Sequence, residues 1–132
     1  MSDPRDHAET LLKKAANDLV AARATLGTGK ALDMVCFHTQ QVAEKSLKAV
    51  LALHDIEYPW CHDLAELLAL AKPLVPDLDV LEEAIVRLSP FAVEIRYDAE
   101  FEPSLDEARD ALKTAQQVYD HVLEIVQHGR NE

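Results

Sequence analysis

Four residues of different chemical type recur at helical spacing between positions 37 and 48. Phe37, Gln41, Glu44 and Lys48 fall within one narrow arc when successive residues turn by about 100°. Glu44 and Lys48 stand in the order that favours a helical ion pair, which contributes roughly 0.2–0.5 kcal/mol. The row is either an ordinary helix salt bridge with unrelated neighbours or a polar face towards a groove or partner helix. Spacing alone favours the salt bridge.

Potential metal ligands lie farther along the chain. His54, Cys61 and His62 offer nitrogen and sulfur atoms, but they match no recognised zinc spacing and lack an evident fourth ligand. Gly27-Thr28-Gly29-Lys30 is too short for a phosphate-binding loop. We therefore predict neither a metal site nor a cofactor.

The segment from Asp55 to Cys61 contains two aromatic residues next to a proline. Proline disfavours the helical conformation in the residue before it, so this segment is predicted to be a loop. Tyr58 and Trp60 are candidates for exposed loop residues that anchor an interface with another molecule. The alternative is that Trp60 packs over the end of the helical bundle. The sequence leaves both alternatives open.

Long helices are predicted at both ends of the chain. Asp3, followed by proline, indicates a helix start, and leucines and alanines recur at helical spacing until Gly27–Gly29. Ser104 and Glu107 form a capping box, behind which apolar residues carry the last helix to Gly129.

Three further helices are predicted between these two. The second helix runs from about Lys30 to His54, and its broad apolar face predicts that it is the buried centre. Asp63 caps a short helix that stops before Pro73, and Pro76 begins another. The predicted inward positions of the latter are Leu78, Leu81, Ile85 and Leu88. The acidic stretch from Ser89 to Pro103 is predicted to be an irregular, mobile connection.

Together these elements predict an all-α, antiparallel up-and-down bundle of about five helices, three long and two short. A length of 132 residues fits one domain spanning residues 1–132. The formal net charge of −11 opposes general binding to nucleic-acid backbones. No apolar run is long enough for a membrane span and the N-terminus is polar, so we expect a cytoplasmic protein with both cysteines as thiols.

Three sequence elements resemble those of prokaryotic HEPN domains. The segment from Phe37 to Leu51 is similar to the family's signature helix, in which an aromatic residue precedes Gln-x-x-Glu-Lys-x-x-Lys-Ala. His62-Asp63-Leu64 resembles the His-Asp/Ser-Leu element, and Arg96-Tyr97 resembles the Arg-Tyr-Pro element, with Asp98 in place of proline. The elements keep the family's order and cover nearly the whole chain.

The resemblance implies a five-helix bundle that forms homodimers, often encoded beside a small nucleotidyltransferase in toxin–antitoxin-like or defence pairs. Other relatives bind nucleotides, or are ribonucleases that use an Arg-x(4–6)-His motif across the dimer interface. For this chain it points to one candidate site for a ligand or a partner. The residues of that site are Phe37, Gln41, Glu44, Lys48, His62, Arg96 and Tyr97.

The ribonuclease alternative requires an arginine as a permanent cation and a histidine that moves protons. None of the six arginines has a histidine five to seven positions later. His62 or His121 would have to substitute, and each has a plainer role, in a loop and on a solvated helix face. We therefore expect a non-catalytic interaction or nucleotide-binding module. A divergent ribonuclease toxin with noncanonical residues is the alternative.

Overall fold

A computed structural model describes residues 3–92 and 99–128. Its helices are α1 (Pro4–Thr28), α2 (Leu32–Leu53), α3 (Leu64–Ala71), a 3-10 helix (Pro76–Leu81), α4 (Glu82–Val86) and α5 (Leu105–His128). The described residues contain no β-strand. The prediction of an all-α bundle with three long helices and shorter ones between them is confirmed. None of the helices in these two ranges is long and apolar enough to cross a membrane.

The turn between α1 and α2 depends on two residues with left-handed backbone. Gly29 has φ 69° and its N–H donates to the carbonyl of Leu26, which closes α1. Ala31 has φ 53° and precedes α2. The predicted start of α2 near Lys30 is therefore two residues too early, because Ala31 interrupts the helical backbone first.

Helix α2 is the centre of the bundle, as its broad apolar face predicts. Val35, Leu47 and Leu51 are completely buried, and α1 and α5 both pack against this helix. Half of the buried positions of α1 and α5 are alanines, such as Ala8 and Ala108, whose small side chains let the helices approach closely. Four polar side chains of α2 are nevertheless buried with the apolar ones: Thr39, Gln40, Glu44 and Ser46.

Helix α3 packs against α2, whereas the 3-10 helix and α4 pack against α5. Leu78 and Ile85 are fully buried and Leu88 nearly so, whereas Leu81 is half-buried at the edge of the core. The predicted second short helix is in fact a 3-10 turn followed by α4. A proline at its start and two acidic residues in its first turn suit this tight geometry.

The last helix begins at the predicted capping box. The N–H of Ser104 donates to Oε1 of Glu107, and the N–H of Glu107 donates to Oγ of Ser104, both at 3.0 Å. Two predictions lie partly or wholly outside the described residues: the end of this helix at Gly129, and the mobility of the acidic connection, whose residues 93–98 include Arg96 and Tyr97.

Candidate functional site: a buried carboxylate on α2

The carboxylate of Glu44 is the centre of a polar cluster within the bundle. Glu44 is only 5% exposed. Its Oε1 accepts hydrogen bonds from Nε2 of Gln40, at 3.0 Å, and from Nδ1 of His62, at 2.7 Å. Its Oε2 accepts one from Nζ of Lys48, also at 3.0 Å. Both oxygens are thus occupied, as a buried charge requires.

Helical spacing and one loop bring these groups together. Gln40 and Lys48 stand four residues before and after Glu44, so all three share one face of α2. His62 arrives from the residues just before α3, where the carboxylate of Asp63 caps the helix by accepting from the N–H of Ala65.

The backbone of His62 is hydrogen-bonded as well as its ring. Its carbonyl oxygen accepts from Nε2 of Gln40, at 3.3 Å, and from Oγ of Ser89, at 3.2 Å. Ser89 Oγ in turn accepts from the N–H of Leu64, at 3.0 Å. The loop before α3 is therefore tied to both α2 and the end of α4.

Hydrogen bonding decides the ionisation of Glu44. Burial alone would raise the pKa of this carboxyl, but the hydrogen bonds from Gln40, His62 and Lys48, together with the charge of Lys48, outweigh burial and lower the pKa below its ordinary value. Glu44 is a carboxylate at neutral pH. It orients the ring of His62 by accepting from Nδ1, and 61% of the His62 side chain is exposed.

Three of the residues proposed from sequence meet directly in this cluster: Glu44, Lys48 and His62. Gln41 joins indirectly, since its Nε2 donates to Oε1 of Gln40, at 2.7 Å. Phe37 lies nearer the start of α2, with its ring edge-on to that of His38. The structure does not describe Arg96 and Tyr97, so their membership in the site remains a prediction.

Sequence reasoning missed Gln40 and misjudged the setting of the ion pair. The Glu44–Lys48 salt bridge exists, but as part of a buried cluster rather than as an ordinary helix salt bridge, because α2 is surrounded by other elements. The i,i+4 relation of Gln40 to Glu44 was a signal that could have identified the amide donor.

A second cluster joins α1 to α2, and no sequence pattern indicated it. Asp18 of α1 accepts from Nδ1 of His38 through Oδ1 and from Nζ of Lys45 through Oδ2. The pair His38 and Lys45 thus repeats around Asp18 the arrangement of His62 and Lys48 around Glu44. Because Lys45 and Lys48 are both neutralised, they add little to a basic surface.

The loop between α2 and α3 treats its two aromatic residues differently. Tyr58 is half-buried: Nζ of Lys48 lies 5.4 Å from its ring centre, and its hydroxyl is 3.1 Å from Nε2 of His7. Trp60 is fully exposed. The alternative in which Trp60 packs over the end of the bundle is therefore wrong.

The three potential metal ligands turn to separate partners. Nδ1 of His54 lies 3.0 Å from the carbonyl of Val50, Sγ of Cys61 is near the carbonyl of Asp63, and His62 faces Glu44. In the part of the chain that the structure describes, no three His, Cys, Asp or Glu side chains are grouped to hold a metal ion.

Comparison with known proteins identifies relatives of this chain. The family model described as the HEPN domain matches residues 8–126. The crystal structure of TT1696 from Thermus thermophilus is 31% identical in sequence, has a TM-score of 0.76 and covers 89% of this chain and 97% of its own. The crystal structure of ST0689, an archaeal HEPN homologue, is 23% identical, has a TM-score of 0.74, and covers 96% and 99%. No curated protein matches.

Proposed function

The chain belongs to the HEPN domain family, and on that premise we propose that it is a non-catalytic interaction module that binds a partner protein through the loop between α2 and α3. The observation that carries this proposal is the exposure of Trp60 on an anchored loop. Tryptophan is enriched among the residues that dominate binding energy at protein interfaces. A solvent-exposed indole has no stabilising role in the isolated bundle.

Contacts within this chain hold several residues of the loop without a partner. Tyr58 contacts Lys48 and His7, and His62 is bound to Glu44. Within the loop, the N–H of Ile56 donates to the carbonyl of Leu51, at 2.8 Å. A binding element held in place loses less conformational entropy on association than a flexible one. The Glu44 cluster thus serves as the support for the interaction loop.

Charge indicates what kind of surface would receive this loop. Asp55, Glu57 and Asp63 are exposed and flank Trp60 within eight residues of it in the sequence. Acidic groups around an apolar anchor are complementary to a partner that offers an apolar socket with a basic rim. The net charge of −11 extends the same preference over longer range.

Family resemblance suggests the identity of the partner and the state of the module. We propose that the chain is a homodimer and that its partner is a small nucleotidyltransferase encoded by the adjacent gene, in a toxin–antitoxin-like or defence pair. Of the residues predicted to bind a ligand or a partner, Phe37, Gln41, Glu44 and Lys48 are on α2 and His62 is in the loop, and Glu44 and Lys48 are largely buried. Arg96 and Tyr97 lie outside the described residues.

Co-expression with the adjacent gene tests this proposal. Tagged chain and untagged neighbour are purified together, and the mass of the complex is measured in the parent, in Trp60→Ala and in Val80→Ala. Val80 is the matched control, because it is an apolar residue 86% exposed on the 3-10 helix. We expect a complex containing two copies of this chain in the parent and in Val80→Ala, and its loss in Trp60→Ala. Equal recovery of the neighbour with all three variants would reject the loop as its binding element.

A divergent ribonuclease is the second candidate, and one observation favours it. A carboxylate that orients a histidine is an arrangement used in acid–base catalysis, and Glu44 orients His62 in this way. The chain lacks the family's Arg-x(4–6)-His motif, and Lys48 is already paired with Glu44. We expect purified protein to leave generic RNA intact. Metal-independent cleavage that is lost in both His62→Ala and Arg96→Ala would establish the ribonuclease instead.

A further inference from the structure

Helix α1 has an outward face defined by Lys13, Asn17, Val20 and Ala24, all of which are exposed. At about 100° per residue these four positions fall within about 60° of arc, so they form one straight stripe. Buried residues of the helix, such as Ala22, lie on the opposite side. Val20 is 65% exposed and offers an apolar contact in the middle of the stripe.

The exposed charges along this part of α1 are all positive. Lys13, Lys14 and Arg23 are exposed, and Asp18 is the one acidic residue between positions 10 and 28. The carboxylate of Asp18 is only 12% exposed and accepts from two donors of α2. Within the described part of the chain, none of the three cations has an ionic partner. The outward face is therefore basic in a chain whose formal net charge is −11.

The outward face lies between two places at which the described chain is interrupted. Near the end of α5, the carbonyl of Val126 accepts from the guanidinium of Arg5, at the start of α1. After the other gap, Ala99 lines a pocket together with Lys30, beyond the end of α1. The face is about 10 Å or more along the helix axis from either place, since α1 rises about 1.5 Å per residue.

A groove of about 210 Å³ between α1 and α5 adjoins this face. Leu12, Tyr119 and Leu123 contribute to its apolar lining, and Lys13 lines it as well. The volume is smaller than the roughly 300 Å³ at which small-molecule sites begin, so the groove suits one apolar side chain of a larger partner. Val20 lies one heptad, or about 10 Å, farther along the helix axis than Lys13. The groove and Val20 are therefore two apolar contacts one heptad apart.

Small side chains beside Val20 permit the close approach of another helix. Ala16 and Ala24 lie one turn before and one turn after Val20, and Ala21 lies next to it. A helix with apolar residues at positions i and i+7 presents them on one side, about 10 Å apart. This spacing matches the distance between the groove and Val20.

We propose that the outward face of α1 docks an acidic amphipathic helix of a partner protein. One apolar residue of that helix enters the groove, and another, one heptad away, contacts Val20. Its carboxylates pair with Lys13, Lys14 and Arg23. The loop around Trp60 is flanked by acidic residues instead, so the two surfaces take partners of opposite charge.

Nucleic acid and anionic membranes use fewer features of this face than an acidic helix does. A sugar–phosphate backbone pairs with the cations but leaves Val20 and the groove unfilled. Three cations also release few counterions, in a chain whose net charge of −11 opposes phosphate binding. A membrane surface requires a larger apolar area than one valine and one small groove supply. An acidic helix uses both the charges and the apolar contacts.

Nuclear magnetic resonance titration of the isotope-labelled chain detects weak docking residue by residue. The probe is a stapled helical peptide of about three heptads, with leucine at the first position of each heptad, glutamate at the flanking positions and alanine elsewhere. The control peptide has lysine in place of every glutamate. We expect the acidic peptide to shift the backbone amides along α1 with a dissociation constant below about 1 mM, and to bind more weakly as salt is raised. The lysine peptide should cause no saturable shift there.

Variants with reversed charges locate the contacts. Lys13→Glu/Lys14→Glu changes the outward face, and the matched control Arg87→Glu/Lys113→Glu changes two exposed cations elsewhere. We expect the first variant to bind the acidic peptide at least about tenfold more weakly and the control to differ less than about twofold from the parent. The lysine peptide should bind Lys13→Glu/Lys14→Glu more tightly than the parent. Val20→Ser should weaken binding of the acidic peptide by loss of apolar contact. Thermal unfolding verifies that all variants are folded.

The proposal is overturned if the acidic peptide causes no saturable shift along α1 up to about 2 mM, or if the two double variants bind it equally well. Tighter binding of single-stranded RNA or of phosphatidylglycerol vesicles at the same amides would assign the face to a phosphate-bearing partner instead. A parent dimer that dissociates in Val20→Glu would assign it to a contact between copies of this chain. Trp60→Ala should retain peptide binding, so this proposal and that of the loop fail separately.

Discussion

Nδ1 of His62 lies 2.7 Å from Oε1 of Glu44, and this contact joins residues that are 18 positions apart in the chain. It connects the solvent-facing loop before α3 to a carboxylate buried in the central helix. The loop that displays Trp60 is therefore supported from within the core. A substitution at Glu44 is therefore expected to alter the position of the loop, although Glu44 is not part of the loop's surface.

Replacement of the buried carboxylate tests how much it contributes to the stability of the fold. In Glu44→Gln the ammonium of Lys48 loses its counter-ion while its side chain is only 12% exposed. We expect the free energy of unfolding to fall by about 2–4 kcal/mol, because removal of one partner leaves the other charge buried and unpaired. Denaturant titration measures this change. Glu124→Gln, which removes an exposed partner of His128, should cost less than about 0.5 kcal/mol. Equal effects of the two substitutions would contradict the cluster's role.

Stability should depend on pH through the same carboxyl. The pKa of Glu44 in the folded protein is below its ordinary value, so the unfolded chain takes up a proton first as pH falls. The contribution of Glu44 is complete above the ordinary pKa of a glutamate, about 4.3, and is lost as pH falls through the folded pKa. The stability difference between the parent and Glu44→Gln should therefore shrink on acidification from pH 6 to below about pH 4. A difference independent of pH would assign the effect to packing instead.

The two cysteines should differ sharply in reactivity. Burial, with the nearby charges of Glu107 and Asp33, raises the pKa of Cys36 to about 12, and its side chain is inaccessible. Cys61 is half-buried, and burial followed by Glu66 raises its pKa as well. A thiol reagent at neutral pH should modify Cys61 slowly and Cys36 only after unfolding. Cys61→Ser should leave no reactive thiol in the native protein, and rapid labelling of this variant would contradict the burial of Cys36.

The helices could be predicted from capping residues and apolar spacing. The predicted boundaries were wrong where the backbone adopts a conformation that these patterns do not indicate. Helix starts at Asp3, Asp63 and Ser104 were readable, because a capping side chain bonds to backbone atoms two or three residues away. The start of α2 could not be predicted, since nothing in the local sequence indicates that Ala31 adopts a left-handed conformation. The 3-10 geometry after Pro76 was likewise hidden in a pattern that suits either helix type.

Only the contacts between residues of one helix could be predicted from the sequence. Glu44 and Lys48 share a helix face, so their pairing follows from spacing. The contact of Asp18 with His38 and Lys45 depends on the rotation and register of α1 against α2, which periodicity does not fix. Family resemblance identified His62 as a candidate site residue. Its hydrogen bond to Glu44 could not be predicted, because it depends on the path of the whole loop between α2 and α3.

Exposure of Trp60 without a structural role predicts that its replacement costs no stability. In Trp60→Ala the midpoint of thermal unfolding should match that of the parent, because the indole makes no buried contact. Calorimetry checks this expectation. A marked loss of stability would show that the indole packs against the bundle, and the loop would then have no free anchor to offer.

The most direct test of the interaction proposal observes Trp60 itself. It is the only tryptophan in the chain, so incorporation of fluorotryptophan gives one fluorine resonance that reports on this side chain alone. On titration with the unlabelled product of the adjacent gene, we predict that the resonance shifts, broadens and loses its sensitivity to solvent, in step with formation of the complex. A complex that forms while the resonance keeps its position and solvent sensitivity would contradict binding through this loop.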